Sequence, residues 1–294
     1  MSVVIPTFNR ADLVVEAVAS ALAQAWEPLE VIVVDDASSD DTVARLELIG
    51  ATDPRLRVIA LAQNGGESAA RNQGVLAANH AYVALLDSDN RFMPTKLVRQ
   101  MPSLLSGPPG AVSFTAYLLA RGDSEDSVVL ERWSPTRPAT LEALLTGCCV
   151  NTSTFVAPRE ILIGEGRFRP ELRCCEDHDL WLRLAVLEHP FLYVNEPLTW
   201  YRSHVGSLSA DQRRVAAASE QVISEFFDRG DVPAEFQRRR SRYAARWALN
   251  AAVGYAAAGD GRSALTALAR AVRFRPLSAR PGWLWLAAKS LASR

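Results

Sequence analysis

Leu85 and Leu86 are followed by Asp87, Ser88, Asp89 and Asn90, so two carboxylates stand one residue apart directly after the apolar run of residues 82–86. Like charges at the end of a buried strand repel unless something positive lies between them. A hard divalent cation held by oxygen ligands, and completed by substrate phosphates and water, meets that need. One intervening residue lets both carboxylates approach a common point in a turn. Asp, Ser and Asn also favour tight turns unaided, so the pair takes its weight from its place in the chain. A second acidic group, Glu176, Asp177 and Asp179, opens a stretch in which Leu180, Leu184 and Leu187 recur at helical spacing. Acids in a first helical turn meet the helix dipole favourably, and a carboxylate held there can also take a proton. A third feature is the Asn64-Gly65-Gly66 loop before Ser68, a tight turn into a helix. Arg71 beyond it is a charge partner for a bound phosphate or for the acidic cluster.

These residues have to be placed by the elements between them. Up to about Leu105 short β-branched runs alternate with helical stretches: residues 2–6, 11–24, 29–34, 41–50, 56–61, 68–79 and 82–86. Strand and helix repeated in this order predict right-handed crossovers and a parallel sheet. The almost continuously apolar run of residues 30–34 is expected where helices cover both faces. In such a sheet the ligand sits outside the carboxyl ends of the strands. Those four ends carry Pro6-Thr7-Phe8-Asn9, the acidic run 35–42, the Asn64-Gly65-Gly66 loop, and Asp87 to Asn90. No G-x-G-x-x-G or G-x-x-x-x-G-K-[ST] pattern occurs, which disfavours dinucleotide oxidoreductases and P-loop phosphotransferases. From about Pro108 to Arg202 the pattern is irregular, with strands expected at 111–119, 127–133, 191–195 and 198–202 and a helix at 176–188. Beyond Ser209 an Ala- and Arg-rich pattern, with a Gly-Asp-Gly turn at 259–261, predicts a helical appendage. The expected organisation is residues 1–208, divided at 105/106 into a nucleotide-sugar-binding half and an acceptor-binding half, followed by a helical segment 209–294.

At 294 residues the chain has room for one large domain or one domain plus a smaller attachment. Its 32 Lys and Arg balance 33 Asp and Glu, which gives no electrostatic reason to expect nucleic acid as a partner. The four cysteines form two adjacent pairs, 148–149 and 174–175, without C-x-x-C spacing; a bridge between the pairs stays open, and reduced thiols of a cytoplasmic protein are the favoured reading. Residues 1–10 lack a basic region and contain Pro6 and Asn9, so they read as a first strand instead of a signal peptide. No apolar run reaches the roughly 18 residues of a membrane span.

Taken together, the stretches at 3–10, 29–42, 64–74, 82–90, 176–184 and 201–209 resemble, in order and spacing, the inverting family-two nucleotide-sugar glycosyltransferases of GT-A fold. The resemblance covers about residues 2–209. It implies an α/β fold with a Rossmann-like, mostly parallel central sheet flanked by helices, ahead of the C-terminal helical segment. It implies a nucleoside-diphosphate sugar donor, with UDP the usual nucleotide, and a saccharide or lipid-linked saccharide acceptor in envelope or exopolysaccharide synthesis. By position, Pro6, Thr7 and Phe8 would lie beside the nucleoside and Asp36 would accept a hydrogen bond from the base. Arg71 would sit near the diphosphate. Asp87 and Asp89 match the D-x-D motif, with Ser88 between them among the donor contacts and Asp89 the direct ligand of Mg²⁺ or Mn²⁺. His204 would stand near the metal or the diphosphate. Asp177 matches the general base, and Glu176 and Asp179 would orient acceptor or helix. Two positions depart from the pattern: Phe8 replaces a frequent Tyr, and Asn90 stands where a third acid is common.

The chemistry accounts for these groups independently. A departing nucleoside diphosphate gains negative charge that a divalent cation stabilises. Opposite it, a carboxylate must take the acceptor proton as the oxygen attacks. Two other readings compete: a catalytically inactive nucleotide-sugar-binding module that recruits a partner through its helical tail, and a sugar-phosphate nucleotidyltransferase, which lacks here its basic glycine-rich loop. The aromatic and basic stretch 280–294 adds peripheral membrane contact as a candidate role of the tail.

Overall fold

The computed structural model describes residues 1–121, 128–131, 139–148, 150–204, 206–207 and 210–274. The stretch proposed for membrane contact, 280–294, lies outside the described residues. The elements run β1 (Ser2–Thr7), α1 (Ala11–Leu22), β2 (Glu30–Asp35), α2 (Thr42–Gly50), β3 (Leu56–Ala60), α3 (Glu67–Ala77), β4 (Tyr82–Leu85), β5 (Arg91–Phe92), α4 (Lys96–Leu105), β6 (Val112–Arg121) and β7 (Val128–Glu131). Then follow α5 (Leu141–Thr146), a 3₁₀ turn (Thr152–Thr154), β8 (Val156–Pro158), α6 (Arg159–Ile163), α7 (Glu176–Val186) and β9 (Phe191–Ser203). The chain closes with α8 (Gln212–Asp228), α9 (Ala234–Gln237), α10 (Arg240–Ala257) and α11 (Gly261–Phe274).

The sheet order is β3-β2-β1-β4-β8-β6-β9-β5, with β7 paired to β6. The first four strands are parallel, as the alternation of strand and helix requires. Beyond β4 the sheet is mixed, because β8 enters antiparallel to both β4 and β6 while β6 and β9 run parallel. Residues 191–195 and 198–202, read as two strands, form the single strand β9. The register slips where Thr115 pairs Val194 but Ala116 pairs Pro197. Pro197 has no N–H to give the ladder, so a bulge there keeps both halves paired to β6.

Alternate side chains of the first strands serve two cores. Val4, Ile32 and Val34 pack with Leu180, Trp181 and Leu184 on one face, and Val3, Ile5, Val31 and Val33 pack with Val14, Val18, Leu97 and Met101 on the other. Each fully buried aliphatic side chain contributes about 1.5–3 kcal/mol, so both faces hold the strand ends in place. Gly74 lets α3 lie close on β1, where a Cβ would come 2.4 Å from Val4 Cγ1.

The first core does not stop at residue 208. Val222, Ile223, Phe226, Phe227, Tyr243 and Trp247, from α8 and α10, belong to the same cluster as Leu180 and Trp181. The helices after Ser209 are therefore packed onto the sheet domain through a shared apolar core. Only α10 and α11 add a small alanine-rich cluster with α8. No helix among the described residues is long and apolar enough to cross a membrane.

Candidate active site

The carboxyl ends of β1, β2 and β4 open into a cavity of about 300 Å³ lined by Pro6, Thr7, Phe8, Arg10, Asp36, Asn64, Gly66, Glu67, Ser88, Arg173, Glu176 and Arg214, among others. The parallel sheet predicts this position, because its loops leave the strands on that side. Thr7 lines the cavity, and its hydroxyl is buried with no hydrogen-bond partner among the described residues. Phe8 is 44% exposed and offers its ring as a wall. Asp36 closes the Asn64-Gly65-Gly66 loop by accepting the N–H of Gly65 and of Gly66, each at 2.7 Å. Gly66 has φ +86°, and a Cβ there would meet the Arg173 guanidinium at 2.2 Å.

The two carboxylates after β4 face different partners. Asp89 Oδ2 accepts Arg10 Nη1 at 2.8 Å and His204 Nε2 at 3.2 Å. Gly206 N donates to His204 Nδ1, which leaves Nε2 as the protonated nitrogen. Asp87 is held by Arg71 Nη2 at 2.7 Å, Ser153 Oγ at 2.8 Å and Asn90 Nδ2 at 3.3 Å, so both of its oxygens are occupied. Asn90 also donates to Ser153 Oγ and accepts Arg202 N. A third acid at position 90 could not make those donations.

Arg71 lies behind the cavity wall, where its guanidinium joins Glu67, Asp87 and Glu176 at 2.6–2.7 Å. Of the two roles read from the sequence, its contacts form the acidic cluster: Nη1 goes to Glu176 and Nη2 to Glu67 and Asp87, while Nε is buried without a partner among the described residues. Burial, reinforced by Glu176 and Asp87, raises the Glu67 carboxyl despite Arg71.

The first turn of α7 sends four polar side chains in four directions. Glu176 meets Arg71, and Asp177 Oδ2 accepts Thr152 Oγ1 at 3.0 Å while its Oδ1 accepts His178 N at 2.7 Å. His178 donates Nε2–H to Leu144 O at 2.9 Å, and burial lowers its pKa. Asp179 is bound by Arg183 at 2.8 Å and Arg169 at 3.2 Å, which makes it an anchor of the helix, turned toward arginines and away from the cavity lining. Burial first, and then Glu176, pushes Asp177 up to about 6, against Arg71 and the two hydrogen bonds.

Five residues that sequence reading passed over join the site. Arg10 pairs with Asp89, Thr152 and Ser153 reach Asp177 and Asp87, and Arg173 and Arg214 stand at the cavity mouth. Arg214 donates to Arg173 O, and neither guanidinium contacts a carboxylate among the described residues. The run Asn151-Thr152-Ser153-Thr154 directly before an apolar strand was the available signal for the turn. For Arg214 the sequence held none, since it stands one helix beyond the last recognised stretch.

No group of three His, Cys, Asp or Glu side chains suited to a metal occurs among the described residues. Asp89 leaves an oxygen for a cation: Oδ2 accepts Arg10 and His204, while Oδ1 carries no hydrogen bond among the described residues. One carboxylate there, with phosphate oxygens and water completing the shell, suits Mg²⁺ or Mn²⁺.

Comparison with known proteins places this geometry in a family context. The model of the family described as Glycosyl transferase family 2 matches residues 2–162. The chain is 32% identical over 228 residues to the teichuronic acid biosynthesis glycosyltransferase TuaG of Bacillus subtilis (strain 168), covering 76% of this chain and 87% of that protein. It is 28% identical over 223 residues to the Escherichia coli protein WfaP, named UDP-Glc:alpha-D-GlcNAc-diphosphoundecaprenol beta-1,3-glucosyltransferase, covering 76% and 85%. Among solved structures, Staphylococcus aureus TarS 1–349 in complex with UDP-GlcNAc superposes with a TM-score of 0.65 at 17% identity, over 99% of this chain and 88% of that one. The mannosyltransferase PcManGT of Pyrobaculum calidifontis, in complex with GDP-Man and Mn²⁺, gives 0.62 at 19%, over 100% and 87%. At these identities the structural likeness shows the fold, which is that of GT-A glycosyltransferases.

Proposed function

The chain belongs to glycosyl transferase family 2, and from that premise we propose that it is a metal-dependent, inverting transferase that moves a sugar from a UDP-sugar to a saccharide or lipid-linked saccharide acceptor in envelope or exopolysaccharide synthesis. The observation that supports this reading is that Asp89, after β4, and Asp177, at the start of α7, are the chain neighbours of Ser88 and Glu176, which line the cavity at the sheet's carboxyl edge. The complexes of TarS with UDP-GlcNAc and of PcManGT with GDP-Man and Mn²⁺ support donor type and metal by likeness of fold. The printed activity of WfaP supports a diphosphate-linked lipid acceptor.

In this mechanism Thr7, Phe8 and Asp36 receive the nucleoside. Asp89 would hold the cation, with His204 as an N–H donor beside it and Arg10 as the positive charge already present there. When bound, the cation neutralises charge that builds on the leaving diphosphate. Asp177 takes the acceptor hydroxyl proton while that oxygen forms its bond to the anomeric carbon. The bond from that carbon to the phosphate oxygen breaks on the opposite face, and its electron pair leaves with the diphosphate. Attack from the face opposite the leaving group inverts the anomeric centre. Retention of both Asp89 and Asp177 disfavours an inactive binding module.

The test is release of nucleoside diphosphate from UDP-glucose, UDP-N-acetylglucosamine, UDP-glucuronic acid and GDP-mannose with Mn²⁺, with Mg²⁺ and with EDTA. The reading expects turnover of one UDP-sugar that EDTA abolishes and Mn²⁺ restores. Undiminished turnover in EDTA would remove the metal from the mechanism, and turnover of GDP-mannose alone would replace the nucleotide.

A further inference from the structure

Buried hydroxyls cost free energy unless each is hydrogen-bonded, and apolar side chains of the same shape would pack as well. The turn Thr152–Thr154 buries three in succession, at 5%, 0% and 0% exposure. Thr154 Oγ1 donates to Asn151 O at 2.7 Å and closes the turn itself. The other two leave the turn for carboxylates on different elements.

Ser153 Oγ accepts Asp87 N at 3.0 Å and Asn90 Nδ2 at 2.9 Å, which uses both lone pairs, so its one proton goes to Asp87 Oδ2 at 2.8 Å. Thr152 Oγ1 donates to Asp177 Oδ2 at 3.0 Å. From the far side, Asp87 Oδ1 binds Arg71 Nη2 and Arg71 Nη1 binds Glu176 Oε1, the chain neighbour of Asp177. The contacts close a ring: Asp87, Arg71, Glu176–Asp177, Thr152–Ser153 and back to Asp87. The donor side and the base side are thereby held by two independent struts, one a guanidinium and one a pair of hydroxyls.

The geometry points to Thr152 and Ser153 as positioning residues for the transfer, with the one turn fixing the separation of donor-side carboxylate and base, and Thr152 setting the proton affinity of the base. This rests on the assignment of Asp177 as general base. The charged and titratable groups around Asp177 are Glu176 on its own helix, Arg71 from α3, and Cys174 and Cys175 just before α7. A hydrogen bond donated to the ionised carboxylate favours that form, so its loss must move the titration upward.

The experiment is a pH titration of the aspartate carboxyl ¹³C signals of the donor-free protein, with Asp177 identified by the signal lost in Asp177→Asn. Thr152→Val moves the Asp177 midpoint up by about one pH unit, and Thr152→Ser returns it to the parent value. Thr152→Ala gives the same shift and decides the matter if the valine variant does not fold. Ser153→Ala leaves that midpoint in place and weakens UDP binding with Mn²⁺ by about 3- to 10-fold, since it frees Asp87 from one of its struts. An unmoved midpoint in Thr152→Val or Thr152→Ala, or a serine variant that shifts as far as they do, overturns the proposal. Because the titration needs no turnover, it is separate from the base assignment, which fails if Asp177→Asn transfers sugar at the parent rate.

Discussion

As the proposed general base, Asp177 has to meet two opposed demands, being ionised at working pH and still basic enough to draw a proton from a hydroxyl. Burial and the neighbouring Glu176 push it up to about 6, which serves both. The ionised form is the active one, so kcat/KM is predicted to be level above pH 7 and to fall tenfold per unit below about pH 6, as a pH–rate profile will report. Asp177→Asn should lower transfer by about 10²- to 10⁴-fold with donor affinity nearly unchanged. The same shift has a stability sign. A carboxyl whose folded pKa lies above its unfolded value favours folding most at low pH, and that contribution is lost as pH rises toward the folded pKa. At pH 7 the parent has lost it, so Asp177→Asn should be more stable by about 1–2 kcal/mol in chemical denaturation. The two acids after β4 should separate in kind. Asp89→Ala, which removes the oxygen shared by Arg10 and His204, weakens Mn²⁺-dependent UDP binding in calorimetry and leaves folding intact. Asp87→Ala strips Arg71 of one partner in a buried cluster and costs about 2 kcal/mol or more of stability.

Among the elements, α8 carries the most information that pattern alone could not convey. Its helical spacing was evident, but an Ala- and Arg-rich helix gives no sign of what it packs against. Phe226 and Phe227 enter the core beneath α7, and Arg214 at the helix start reaches the cavity mouth. Phe227→Ala is therefore predicted to cost about 3–5 kcal/mol, read by denaturation, as for any large core truncation. Arg214→Gln should leave that stability within about 0.5 kcal/mol, because the guanidinium makes no salt bridge among the described residues. It should weaken UDP binding by several-fold, because it removes positive charge from the mouth. Long periodic elements such as α1, α3, α10 and β2 were plain from their spacing. The 3₁₀ turn and β8 were not, since three residues are too few to show a period. Their place between β4 and β6 is decided by pairing distant in sequence.

Across the whole molecule, sequence pattern pointed to the sheet edge at which the cavity lies, because a parallel sheet with covered faces leaves polar residues at its strand ends. Asp87 and Asp89 were singled out on that ground and Glu176 and Asp177 as acids at a helix start, and α7 brings the second pair beside the same edge. What spacing could not convey was the direction each side chain takes there. Arg71 turns inward to three acids, Asp179 turns to Arg169 and Arg183, and Asp87 is consumed by the ring, while Asp89 alone of the pair meets Arg10 and His204. Those choices are settled by partners from 4 to more than 100 residues away. On the proposed function, a cation at Asp89 and a base at Asp177 act on opposite faces of the anomeric carbon, and that arrangement has a stereochemical consequence. It is read most directly by ¹H NMR of the sugar first released when the protein, with Mn²⁺, hydrolyses the α-linked UDP-sugar it turns over. Attack opposite the diphosphate predicts the β-anomer as the initial product, equilibrating to the mixture only at the rate of mutarotation. An α-anomer appearing first would contradict the account.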